Sequence, residues 1–218
     1  MSDTDSFIEE VSEEVRRDRL FALMRKYGWI GLLAVFLLVG GAAYNEWRKA
    51  SERAAAEELG DRLLNALELE DSSARAAALA KVQGDKAGSK ALVAMLAAAE
   101  SMAADDAAAS NAALSTIAED ADLSKAYRDL ATLKLVLQAG TDMAAEERRA
   151  KLTALAVAGA PFRLLAEEQL AMLDIEDNDV EAAISRLKDI IGDVEVTAGL
   201  RNRASQLIVV LGGEIDDT

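Results

Sequence analysis

The residues best suited to chemistry are the oxygen ligands of Asp174-Ile175-Glu176-Asp177-Asn178-Asp179, spaced like the opening of a calcium loop. Such a loop needs Gly at its sixth position for a sharp turn and a bidentate Glu at its twelfth. Asp179 and Ser185 stand there instead, so the run reads as an acidic turn between two helices. The chain has no Cys and no His, which excludes disulfides, zinc sites built on those residues, thiol nucleophiles and a Ser-His-Asp arrangement. No glycine loop of the phosphate-binding kind is present, because Gly40-Gly41 lies inside an apolar run. The expectation is a protein with no catalytic, cofactor-binding or metal-ligating residues and no small-molecule substrate. An enzyme would need convergent carboxylates in a deep pocket.

Composition narrows the partners and the fold class. The 218 residues suffice for one medium domain and an anchor, and 51% hydrophobic content is that of a folded chain. Acidic residues outnumber basic ones 39 to 24, for a net charge of −15. A surface of that sign repels phosphate backbones, so no nucleic-acid partner is expected. After the first fifty residues the apolar set is mainly Ala and Leu with a single Pro, the composition of helices.

One segment calls for a membrane. From Tyr27 to Asn45 no residue is charged, and at ~1.5 Å per residue the run spans roughly 28 Å, the thickness of a hydrocarbon core. Arg25 and Lys26 close one end, and Glu46, Arg48 and Lys49 the other. Tyr27, Trp29, Tyr44 and Trp47 sit near these ends, where amphipathic rings prefer the headgroup level. A buried core helix and a cleaved signal peptide are the competitors. Gly41-Ala42-Ala43 offers a cleavage-like site, but the apolar run is too long for a signal and the preceding tail too acidic. Arg16, Arg17, Arg19, Arg25 and Lys26 crowd the N-terminal side against Arg48, Lys49 and Arg53 on the other, which predicts a cytoplasmic N-terminus and an exported domain, periplasmic in a bacterium. In the tail, Ser6 and Glu9 have capping-box spacing. Phe7, Val11 and Val15 form a stripe that suits an amphipathic helix on the membrane or a partner, or a frayed helix with neither. Gly40, Gly41, Ala42 and Ala43 would let a second membrane helix pack closely, or are simply a patch of small residues.

Beyond the anchor the pattern is helical throughout. Residues 46–69 continue out of the bilayer with Leu59, Leu63 and Leu67 on one face, and Ser72–Gln83 forms a short helix stopped by Gly84. Helical windows follow at 88–104, 106–119, 122–138, 143–157, 162–176, 179–191 and 196–211. The breaks fall at Asp105-Asp106, Gly140, Gly159-Ala160-Pro161, Asn178 and Gly192. Windows starting near 88, 122 and 162 recur every ~34–40 residues, close to the period of helix–turn–helix solenoids. The clearest unit is Leu170-Ala171 with Ala183 and Leu187, where Ala lets paired helices approach and Leu fills the gap to the next unit; Leu130-Ala131 repeats it more weakly. An irregular helical bundle is the alternative. The expected layout is all-α: tail 1–26, transmembrane helix 27–45, connecting helices 46–87, and a tetratricopeptide-like α-solenoid of degenerate helix pairs at 88–218.

The order of Arg25-Lys26-Tyr27-Gly28-Trp29, one span, Glu46-Trp47, Ala126-Tyr127-Arg128-Asp129-Leu130-Ala131 and the Ala171–Leu187 unit resembles a bacterial inner-membrane family. Its members are ancillary subunits of the SecYEG translocon with a tetratricopeptide-like periplasmic domain. The resemblance implies association with SecYEG and with a membrane-bound periplasmic chaperone of the prolyl-isomerase type, and a role in passing exported proteins to chaperones. It brings no catalytic residues. The chain departs from strong tetratricopeptide patterns in lacking their large aromatics and most of their prolines. The alternative is an accessory subunit of another inner-membrane complex, respiratory or cell-division.

Overall fold

The computed structural model describes residues 3–214, with side chains from Met24 on. Among these residues there are nine α-helices, one short 3-10 turn and no strand. The first, α1, runs unbroken from Asp3 to Leu67 and contains the apolar 27–45 segment. It starts upstream of Ser6, so the capping box expected at Ser6 and Glu9 falls inside the helix rather than at its head. The Phe7, Val11 and Val15 stripe lies outside the described side chains. Within Met24–Leu67 is a window of mean hydropathy 1.7, long and apolar enough to cross a membrane, and none of it is buried.

The chain divides into two compact units, one ending at Glu58 and one beginning at Leu59. The second unit comprises the last turns of α1, then α2 (Ser72–Leu79), α3 (Ala87–Ala103), α4 (Ala107–Glu119), α5 (Lys125–Ala139), α6 (Ala145–Leu155), α7 (Arg163–Glu176), α8 (Val180–Gly192) and α9 (Ala198–Val210). From α2 on, each helix packs mainly on its neighbour in sequence, the pattern of chains built by stacking.

The core is correspondingly a series of layers. Leu63 and Ala66 of α1 meet Leu79 and Val93. A second layer joins Ala98 of α3, Leu114 and Ile117 of α4, and Ala131 and Leu135 of α5. Leu133 and Val136, on another side of α5, pack with Leu152 and Leu155 of α6 and Leu170 and Leu173 of α7. Ala171 faces away from that layer, toward Leu187 and Ile190 of α8 and Ala204 and Ile208 of α9. Helices α5 and α7 are thus shared between layers. Their alanines, both 0% exposed, sit where the backbones come close.

Two of these layers are the same structure. Ala98, Leu114, Ile117, Ala131 and Leu135 reappear as Ala171, Leu187, Ile190, Ala204 and Ile208 at a constant offset of 73 residues (187 minus 114). The connections repeat too. After α3 and after α7 a left-handed residue, Asp105 (φ 60°) or Asn178 (φ 61°), ends the helix. The next N–H, of Asp106 or Asp179, donates back to Ser101 O (2.9 Å) or Asp174 O (2.8 Å), which closes the helix end as a Schellman turn. That same aspartate caps the following helix, accepting from Ala109 N at 2.9 Å or Ala182 N at 3.0 Å. Before α5 and α9, the carboxylates of Asp120 and Asp193 accept from Asp122 N (2.9 Å) and Glu195 N (2.8 Å) in matching turns. The α3–α5 and α7–α9 segments are therefore two copies of one three-helix unit.

Candidate functional site

Helices α5, α6, α7 and α9 surround an open groove of about 640 Å³, within the range of ligand-binding clefts. Its floor is apolar, from buried Leu152 and Leu173 to half-buried Leu207. Along its rim Leu137, Met172 and Val210 are 51%, 40% and 80% exposed, although each is apolar.

Two ion pairs are set into this surface. Arg148, almost wholly buried on α6, donates through Nη1 and Nη2 to the two carboxylate oxygens of Glu176 at 3.0 and 2.6 Å, and through Nε to Met143 O at 3.1 Å. Arg203 of α9 donates through Nε and Nη2 to buried Glu168 of α7 at 2.7 and 2.8 Å. Both are fork-to-fork contacts, the strongest geometry for such pairs. The Arg148 hydrogen bond holds the Glu176 carboxyl below its ordinary range, partly against the opposing effect of desolvation. Gln169 and Gln206 also line the groove.

Away from the groove, α7 carries a second charge network. Asp174 is 5% exposed and accepts from Arg149 Nη1 at 2.8 Å and Arg186 Nε at 3.0 Å. Arg186 also reaches Glu167, and Arg149 reaches Asp177. Burial pushes the Asp174 carboxyl up, but the bonds and charges of the two arginines outweigh it, and the group ends below its ordinary range. These contacts revise the acidic turn expected at 174–179. Asp174-Ile175-Glu176 is the last turn of α7, and only Asp177 and Asn178 turn before Asp179 caps α8. The carboxylates at 174 and 176 answer arginines on neighbouring helices. Among the described residues no group of three or more metal-type ligands is gathered.

The residues singled out in the sequence fall in two places. Arg25, Lys26, Tyr27, Trp29, Tyr44 and Trp47 are all exposed on α1. There Lys26 Nζ stands 5.4 Å from the Tyr27 ring centre, and the Tyr44 and Trp47 rings lie 6.1 Å apart. Ala131, Leu170, Ala171, Ala183 and Leu187 are buried in the helical core, while Leu130 is only half-buried. None of these residues lines the groove. Its charged pairs, Arg148–Glu176 and Arg203–Glu168, join residues 28 and 35 apart. Neither separation marks them in the sequence, because each pair forms only where the stacked helices bring its members together.

No protein-family model, curated protein or solved structure matches the chain.

Proposed function

We propose that this chain is a membrane-anchored interaction scaffold, without catalytic activity, cofactor or nucleic-acid partner. Its helical unit works on the exported side of a bacterial inner membrane. The observation that carries this reading is the union, in one chain, of an apolar stretch of α1 none of which is buried and a helical unit with an open, partly apolar groove. The helix acts as a single span, its N-terminus cytoplasmic because the basic residues crowd that side. The helical unit is a short tetratricopeptide-like solenoid, a reading supported by packing between sequence neighbours and by the repeated turns at Asp105 and Asn178. In such a stack the groove between α5, α7 and α9 is a face for partners.

With the resemblance at Arg25–Trp29 and Glu46-Trp47, this architecture supports an ancillary role at the SecYEG translocon, linking exported proteins to a membrane-bound periplasmic chaperone. A topology reporter fused after Thr218 tests the orientation: alkaline phosphatase should be active there, and activity of a cytoplasmic reporter instead would sink the proposal. Photo-crosslinking from position 137 or 172 in native membranes tests the partner. Translocon subunits and periplasmic chaperones are the expected captures. Recovery of a respiratory or cell-division complex without them would assign the protein to that complex.

A further inference from the structure

We propose that a pocket between α2, α3 and α4 binds a single-chain aliphatic carboxylate, a fatty acid; this goes beyond the scaffold reading and does not depend on it. The offset of 73 residues extends upstream of the two copies, since Leu79, Val82, Val93 and Ala97 stand at the positions of Leu152, Leu155, Ala166 and Leu170. The space beside them is filled differently. In the second copy Arg186 of α8 reaches Glu167 and Asp174 of α7. Their counterparts are Ala113, Ala94 and Ser101. Instead of an ion network there is a cavity of about 510 Å³, within the range of ligand clefts. Leu79, Val82, Val93, Ala94, Ala97 and Ala113 form its apolar walls.

The head of the ligand follows from charge. Lys90 is the one charged residue among the described residues that line the cavity. Its counterpart Arg163 is bonded to Asp193 and Glu195 at 2.7 and 3.0 Å. Asp120 and Asp122 occupy the equivalent positions, yet among the described residues Lys90 enters no ion pair. An ammonium without a carboxylate, set beside apolar walls, is complementary to an anion with an apolar body. The tail follows from what the walls lack. Apart from Lys90, only Gln83 among the lining side chains can form hydrogen bonds. A buried polypeptide would bring an N–H and a C=O with each residue, and each would need a partner. An alkyl chain needs none.

The test uses the full chain in zwitterionic nanodiscs, with empty discs to correct for partitioning. The chain has no Cys, so Gln83→Cys places a single polarity-sensitive dye at an exposed lining position. Dodecanoate should shift the dye emission saturably. Each buried methylene tightens binding roughly 4-fold, so octanoate should bind at least ~10-fold more weakly. Dodecyltrimethylammonium, with the same tail and the opposite charge, should also bind at least ~10-fold more weakly than dodecanoate. Lys90→Gln should weaken dodecanoate ~10-fold and remove its lead over the cation. Ala94→Glu with Ala113→Arg transfers the second copy's ion pair into the cavity and should abolish the response with the melting temperature kept. Equal binding of the two dodecyl amphiphiles, undiminished binding by the filled variant, or no saturable response would overturn the proposal. So would tighter binding of a peptide ending in two leucines, since the occupant would then be a polypeptide C-terminus. An exported chain that crosslinks to the translocon yet ignores dodecanoate would lose this inference alone.

Discussion

Asp174→Asn should lower the stability of the helical unit by about 2 kcal/mol at neutral pH. The carboxylate is 5% exposed and takes charge-assisted hydrogen bonds from Arg149 at 2.8 Å and Arg186 at 3.0 Å. Bonds of that kind are worth about 1.5–3 kcal/mol each, and stripping one partner from a buried pair typically costs about 3–5 kcal/mol. The substitution falls below those figures for two reasons. Each arginine keeps a second carboxylate, Asp177 or Glu167, and asparagine preserves the shape while removing a buried charge. Two kcal/mol in a unit of this size is a fall of about 4–8 °C in melting temperature, readable by far-UV circular dichroism of the full chain in detergent.

The pH profile supplies a second test. The folded pKa of Asp174 lies below the ordinary value of 3.8. Its contribution is therefore complete above that value and lost as pH falls through the folded pKa. The gap between wild type and variant should stay constant from about pH 5 to pH 8 and close below about pH 4. An unchanged or higher melting temperature for the variant at pH 7 would show that burying the charge costs as much as the arginines return, and the account of the network would fail.

Leu187→Ala should cost about 2–5 kcal/mol, and Leu114→Ala, its counterpart in the first copy, should agree within about 1 kcal/mol, both read from urea midpoints; both leucines are 0% exposed. Gly84→Ala should destabilise by about 1–3 kcal/mol, because a Cβ there would lie 2.7 Å from the backbone at Ser89 and Lys90. Gly60→Ala, with nothing within 4 Å of the added atom, should instead be neutral or gain up to about 1 kcal/mol in a thermal melt. Arg203→Ala leaves the buried Glu168 carboxylate without its bidentate partner and should cost about 2 kcal/mol. Arg203→Lys should recover only part of that, since an ammonium cannot reproduce the fork.

The helices were legible in the sequence because Ala- and Leu-rich windows are punctuated by residues with one physical role each. The windows at 162–176 and 179–191 meet helices at Arg163–Glu176 and Val180–Gly192, with Asn178 supplying the left-handed turn and Asp179 the cap. The short helix expected over Ser72–Gln83 ends earlier, at Leu79. The N–H groups of Lys81 and Val82 turn back to Ala78 and Leu79, which lets Val82 pack on Leu79 and Val93. Local breakers do not report a bend imposed by packing. The Leu-Ala pairs misled in one respect: Ala131 and Ala171 are both fully buried, whereas Leu170 is 3% exposed and Leu130 only half-buried. Close approach of two helices demands a small residue at one fixed position, while the neighbouring leucine has no fixed layer to fill. The groove was not legible at all, because its ion pairs depend on how helices stack across a whole period.

The offset of 73 residues also separates what the fold needs from what the groove adds. Core positions are kept between the copies, as Leu114 and Leu187 or Ala131 and Ala204 illustrate. Groove positions are not. Glu168 and Arg203, bonded to each other in the second copy, correspond to Met95 and Leu130 in the first. Buried Leu133 of α5, covered by α6 and α7, corresponds to exposed Gln206 on α9, and 4%-exposed Val136 to 62%-exposed Val209. Polar substitution at Gln206 fits a helix on which no further described pair stacks. The Arg203–Glu168 pair has another character: it introduces two charges at positions where the same architecture stands without them. A charged pair that the repeat does not require lies beside an exposed apolar rim, and there the two copies have diverged.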